Sequence, residues 1–259
     1  MPSVERAAVV TIDRDGVDDA VARLGRVAES SGVELVDSDD ADVAIVLGGD
    51  GTMLRALARF LGTGVPVIGV NFGRVGFLTA IDSDELETGV VRVFRGEYRT
   101  QQLSTLEATV NGTTKVAVND VVVAAGTLGR LIELGYTIGG EDLGQQPCDG
   151  LICATPTGST AYNLSNGGPV LVWGLEAMAV TFIAPHALVI RPLVIPRDTD
   201  VTITNVTADV ETTVLVDGHP IGKLARGETA SVRVGDQHTL LATLPEVTFF
   251  RRYRNTFTA

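Results

Sequence analysis

The sequence predicts two regions of different fold class: an α/β domain with a parallel sheet over residues 1–98, then a β-sandwich-like domain over residues 99–241. Two observations predict this division. Strand-like and helix-like runs alternate as far as Tyr98, the rhythm of a parallel sheet flanked by helices. Beyond Tyr98, short β-rich runs succeed one another with Gly and Asn turns between them.

Residues 6–13 (RAAVVTID) form a short β-rich run, 17–30 carry a helical pattern and 33–36 are a second short run. Residues 42–47 (DVAIVL) read as a third strand, ended by Gly48-Gly49, and a helix is expected from near Thr52. Its body, 54–61 (LRALARFL), has helical composition and spacing, and 65–70 (VPVIGV) is strand again. In the second region, 106–110 and 115–124 flank the turn residues Asn111-Gly112. Runs at 131–138, 151–154, 178–183, 201–206, 213–216 and 230–234 continue the series. The final stretch, 249–257 (FFRRYRNTF), is aromatic and basic, a tail expected to pack its rings on the core.

Composition narrows the class. An apolar share of 45% and a charged share of 20% are those of a globular chain rather than a disordered one. No 18-residue apolar run suggests a membrane span, and the N-terminal residues lack the basic and apolar regions of a secretory leader, so a cytoplasmic protein is expected. Cys148 and Cys153 lie five apart, without CxxC spacing or a His cluster, and are expected to be reduced thiols; no direct metal ligand is assigned. A net charge of −12 repels nucleic acid and anionic membranes, so neither is an expected partner. Lys115 and Lys223 are the only lysines, and this acidic, lysine-poor balance fits the salt-rich cytoplasm of a halophilic archaeon, although a GC-rich genome would also deplete Lys.

Three stretches carry chemistry. The first is Gly48-Gly49-Asp50-Gly51-Thr52, where a strand ends, turns on glycines and enters a helix. Such strand-to-helix turns bind phosphate through free N–H groups and the helix dipole, and glycines allow positive φ and close approach. Asp50 is the odd residue, because a carboxylate repels phosphate unless it holds Mg²⁺ or takes a proton from an attacking hydroxyl. Arg55, one turn on, supplies a cation; the plainer reading makes Asp50 a helix N-cap. The second stretch runs from Asp149 to Pro169 (DGLICATPTGSTAYNLSNGGP), where a buried strand feeds a hydroxyl-rich Gly-Pro loop suited to phosphate or ribose. Ala161-Tyr162 then offers a slot for a planar base, although Ser/Thr/Gly runs are commonly only turns. The third is Asn119-Asp120, an amide beside a carboxylate able to grip two ribose hydroxyls, or equally a bulge or a strand-to-strand turn.

Together these stretches resemble the NAD kinase family, whose pattern is GGDGT, G-x-x-G-F, an Asn-Glu or Asn-Asp pair, and a DG…TPTGSTAY…GGP block. Here the four are GGDGT at 48–52, GRVGFL at 73–78, ND at 119–120 and the block at 149–169, in the family's order. GGDGT alone is shared with lipid and sugar kinases; the TPTGSTAY block is far more specific. The resemblance implies phosphoryl transfer from ATP or polyphosphate, with a divalent metal such as Mg²⁺, to the 2′-hydroxyl of the adenosine ribose of NAD. It makes Asp50 the catalytic base, with Gly51 in the same pocket, Gly48, Gly49 and Thr52 in the phosphate loop, and Arg55 contacting the nucleotide. It places Asn119 and Asp120 on adenine and ribose, Phe77 as a wall of the adenosine site, and Asp149 on the nicotinamide half. Thr157, Thr160, Ala161, Tyr162, Asn163, Leu164 and Ser165 would contour the adenine pocket, and Arg130, Ala184 and His219 fall at less fixed contacts.

Two positions depart from the family's usual residues: Asp120 replaces the commoner Glu, and Pro147 stands where some relatives carry a cation. The resemblance further implies that residues 242–259 return to the first domain and that the chain forms a homodimer or homotetramer. Two other readings stay open: a lipid or sugar kinase sharing only GGDGT, and a non-catalytic NAD(P)-binding sensor.

Overall fold

In the computed structural model, which describes residues 4–11, 17–73, 76–126, 130–187 and 189–258, two units are distinguished: Met1–Gln102 with His238–Ala259, and Leu103–Gln237. The sequence positions Ile12, Asp13, Arg74 and Val75, part of runs read above, lie outside the described residues.

The first unit follows the alternation of its sequence: β1 (Arg6–Thr11), α1 (Val17–Ser31), β2 (Glu34–Val36), β3 (Val43–Gly48), α2 (Asp50–Arg59), β4 (Pro66–Asn71), β5 (Ile81–Asp82) and α3 (Leu86–Phe94). The strands pair in parallel in the order β2-β1-β3-β4-β5. All six residues of β3 are buried, as expected where helices cover both faces of a parallel sheet. Helix α1 turns Ala20, Leu24, Val27 and Ala28 inward at helical spacing, onto a core shared with Ile45, Leu47, Ile68, Val90 and Phe94.

The second unit is built from β6 (Arg99–Val110), β7 (Thr113–Ala117), β8 (Asp120–Ala125), β9 (Ile132–Ile138), β10 (Glu141–Cys148), β11 (Gly150–Ala154), the short α4 (Tyr162–Ser165), β12 (Ala177–Ile183), β13 (Leu193–Pro196), β14 (Val201–Asn205), β15 (Thr212–Val216), β16 (His219–Leu224) and β17 (Thr229–Thr243), the last ending in the first unit. One sheet is antiparallel in the order β13-β12-β11-β8-β15-β16. A second antiparallel layer joins β10, β9, β14 and β17, and β6 pairs with β7 across a turn at Asn111 (φ 48°) and Gly112 (φ 77°). Val121, Val123, Leu151, Cys153 and Val180 from the six-stranded sheet share one core with Leu134, Val201, Ile203 and Val232 from the other layer, the arrangement of a β-sandwich. The opposite face of the six-stranded sheet is also covered: Val122, Ile152, Ala154 and Ala179 pack with Leu171. Both cysteines are buried free thiols, and burial pushes each up to about 12, so neither is a reactive thiolate at neutral pH.

On returning to the first unit, β17 adds a parallel strand beside β4, Leu240 opposite Pro66 and Leu241 opposite Val67. The chain ends in α5 (Phe249–Phe257), N-capped by Thr248, whose hydroxyl accepts from Arg251 N at 3.2 Å. No helix among the described residues is long and apolar enough to cross a membrane.

Candidate active site

Gly48 closes β3, and Gly49, with extended backbone (φ −107°, ψ −168°), is the N-cap of α2. Its carbonyl accepts from Thr52 N at 2.9 Å and Met53 N at 3.0 Å. Asp50 is the first helical residue and caps nothing; the N-cap reading is overturned because its carboxylate points elsewhere. Oδ2 accepts from Phe77 N at 2.6 Å and Oδ1 from Leu78 N at 3.0 Å, so both oxygens are fixed by backbone donors. This clamp requires Gly76, where a Cβ would lie 2.2 Å from Oδ1. Gly48 is required for a similar reason: a Cβ there would stand 2.5 Å from Oγ1 of the buried Thr52.

The expected positive φ in the glycine turn is not found, as Gly48, Gly49 and Gly51 all lie outside the left-handed region. What the turn shows instead is space: a Cβ on Gly49 or Gly51 would meet nothing within 4 Å among the described residues. Arg55 is exposed on α2. Phe77 is buried with its ring against Phe249 (5.4 Å, edge-on) and Phe257 (6.1 Å, stacked).

A residue the sequence reading passed over completes this cluster. Arg252 of α5 is 6% exposed and donates to Phe77 O at 2.6 Å and to Thr79 O. Burial pulls its guanidinium down to about 10, and the charge of Asp50 opposes that fall.

In the second unit the run read as one strand over 115–124 breaks between β7 and β8, and Asn119-Asp120 stands at the break. Asp217, at φ 47° in the turn between β15 and β16, explains the local geometry. Its carboxylate accepts from Val118 N (2.8 Å), Asn119 N (2.7 Å) and Asp120 N (3.1 Å), while its own N–H donates to Asp120 O at 3.0 Å. Burial and the neighbouring Asp217 push the Asp120 carboxyl up to about 6; burial also raises Asp217, against the pull of its three N–H donors. The Asp-Gly dipeptide at 217–218 was the available signal for such a turn.

The hydroxyl-rich loop folds onto the same place. Thr155 N donates to Asn119 O at 2.9 Å and Thr155 Oγ1 to Val118 O at 2.7 Å. Gly158 lies against Asn119, where a Cβ would be 2.1 Å from the carbonyl oxygen. Asn163, fully buried, braces the loop: its amide nitrogen donates to Ser159 O and Pro169 O, and its oxygen accepts from Thr181 Oγ1 at 2.7 Å. Against this satisfied framework the buried Asn119 Oδ1 and Thr157 Oγ1 have no hydrogen-bond partner among the described residues. Thr160 is half-buried, Leu164 is half-buried, and Ala161, Tyr162 and Ser165 are exposed. Asp149 and His219 are exposed, and Ala184, also exposed, holds φ 43°, a conformation uncommon for a residue with a Cβ. Arg130 lines a separate cavity of about 580 Å³ with Asp209, Glu211 and Lys223. Among the described residues no three His, Cys, Asp or Glu side chains gather as a metal cage.

The model of the ATP-NAD kinase N-terminal domain matches residues 5–98, and that of the ATP-NAD kinase C-terminal domain matches residues 118–244. The chain belongs to the NAD kinase family. An NAD kinase of Gemmatimonas aurantiaca is 40% identical over 230 residues, covering 86% of this chain and 80% of that protein. One from Heliobacterium modesticaldum is 39% identical over 240 residues, covering 90% and 85%. Among solved structures, an Archaeoglobus fulgidus NAD kinase in complex with ATP superposes with a TM-score of 0.78 at 26% identity, over 98% of this chain and 97% of that one. The fold also matches yeast NADH kinase complexed with NADH, with a TM-score of 0.87 at 21% identity over 100% of this chain and 89% of that one. NAD kinases are phosphotransferases, and the α/β and β-sandwich units described above are the fold of this family.

Proposed function

We propose that this chain phosphorylates NAD to NADP, with Asp50 as the general base. The observation that carries the reading is the clamped carboxylate: Asp50 is held at both oxygens by the amides of residues 77 and 78, at the strand-to-helix glycine turn. Each oxygen keeps a lone pair, so one can accept the proton of the adenosine ribose 2′-hydroxyl as that oxygen attacks the terminal phosphorus of the donor. The bond from phosphorus to the bridging oxygen breaks, and the nucleoside diphosphate, or the shortened polyphosphate, leaves with its electron pair. Positioning and charge neutralisation supply the acceleration, and no phosphoenzyme is needed.

In this reading the second unit holds the dinucleotide. Asn119 Oδ1 and Thr157 Oγ1 have no partner among the described residues and can meet adenine or ribose groups, with Asp120 beside them. Asp217 orients that pair through three backbone bonds. Ala161, Tyr162 and Ser165 offer exposed contacts, whereas Asn163 keeps the loop in shape. Mg²⁺ would arrive with the donor as part of the substrate, bound by its phosphate oxygens and neutralising their charge. Homo-oligomerisation, a cytoplasmic location and adaptation to high salt belong to the same reading, the last supported by the net charge of −12.

Purified protein given NAD, Mg²⁺ and KCl, with ATP and polyphosphate offered in parallel, is expected to form NADP with at least one donor. Binding of NAD without NADP from either donor would favour the non-catalytic sensor.

A further inference from the structure

The C-terminal helix reaches the glycine turn through one side chain. Arg252 is 6% exposed on α5, a costly place for a cation unless its donors are used. Its NH1 spans two carbonyls, Phe77 O and Thr79 O, on either side of Leu78. The amides of Phe77 and Leu78 are the two that hold Asp50. The peptide units of one short segment therefore face two ways, carbonyls to the arginine and N–H groups to the carboxylate. Both bonds leave from one nitrogen whose two N–H directions are fixed by the guanidinium plane, whereas an ammonium is a freely rotating point donor.

From this geometry we infer that Arg252 is a positioning residue for the phosphoryl-transfer reaction, fixing residues 77–79 so that their amides hold the Asp50 carboxylate in its reactive place. The inference rests on the proposed role of Asp50, and goes beyond it by making the C-terminal helix part of the machinery. Arg252 acts through the backbone and through the attraction between its charge and Asp50, without touching substrate.

Two measurements separate this role from a merely structural one. First, hydrogen exchange of the Phe77 and Leu78 amides is compared in wild type, Arg252→Gln and Arg252→Lys. At least tenfold faster exchange is expected in Arg252→Gln, less in Arg252→Lys, with the β3 amides unchanged. Unchanged exchange at residues 77 and 78 overturns the inference, whatever reaction the protein catalyses. Second, steady-state kinetics are measured for Arg252→Gln, Asp50→Asn and the double variant. Arg252→Gln is expected to lower kcat by about 30- to 100-fold with KM for NAD changed less than about threefold, and to add little in the Asp50→Asn background. Fully additive losses, or a loss confined to KM, contradict a role through Asp50. A wild type that forms no NADP would instead sink the functional reading, leaving the exchange result to decide on Arg252.

Discussion

At Gly76 one methyl group decides whether Asp50 keeps its place. A Cβ there would lie 2.2 Å from Oδ1 and 2.7 Å from Cγ, so Gly76→Ala must push the carboxylate off its amides. A displacement on that scale is expected to lower kcat about 100-fold, with folding intact by circular dichroism; wild-type kcat in the variant would show that the clamp is dispensable. Asp120 makes the opposite trade. Its carboxyl rises from 3.8 to about 6 on folding, so the folded chain binds this proton more tightly than the unfolded one. That contribution to stability is present below about 4 and is lost as pH rises to about 6. Asp120→Asn should therefore raise Tm at pH 8 by roughly 2–6 °C, with no gain at pH 4, while weakening NAD binding. Equal Tm changes at both values would contradict it. Asp50 was legible in the sequence as an acid among glycines. Arg252 was not, because an arginine in a tail reads as solvated charge and its two carbonyl partners lie 175 and 173 residues away.

At the scale of elements, legibility followed burial. Strand β3 is apolar throughout because helices cover both its faces, and its sequence shows it. Helix α2 begins at Asp50, two residues before the expected start, since glycine at the cap position left no side-chain signal. Strand β10 (EDLGQQPC) carries no β pattern at all; its pairing with β9, bulged between Asp142 and Gln145, makes it a strand. The tail 249–257, expected to pack its rings on the core, does so only in part: it is a helix that buries Phe249 and lays Phe257 against Phe77, while Phe250 and Tyr253 are exposed. The loop before α4 was visible as composition, but not the amide that shapes it. Asn163→Ala would leave the Thr181 hydroxyl, Ser159 O and Pro169 O unpaired in a buried place, at a cost of about 2–4 kcal/mol. A fall in Tm of roughly 5–12 °C is the expected readout; a change under 2 °C would mean the brace is redundant.

Over the whole molecule the net charge of −12 sets the response to salt. The ion pairs that join Arg59 to Asp37 and Asp39, or Arg197 to Glu176 and Asp236, are surface pairs that salt weakens. Self-repulsion among the excess acids is weakened as well, and with so large an imbalance it dominates. Tm should therefore rise from dilute buffer to multimolar KCl; a flat or falling Tm would contradict adaptation to salt. The division into two classes of fold was readable from periodicity alone; the return of the chain to its first unit was implied only by the resemblance, from 242 rather than His238, because β17 runs across the boundary as one unbroken strand. The proposed chemistry centres on Asp50, and the most direct measurement is NADP formation by wild type and Asp50→Asn with NAD, Mg²⁺ and each donor. NADP formed by the wild type and reduced at least about 1,000-fold in the variant, with NAD binding retained, is the predicted result. NADP formed by both at similar rates would contradict the account.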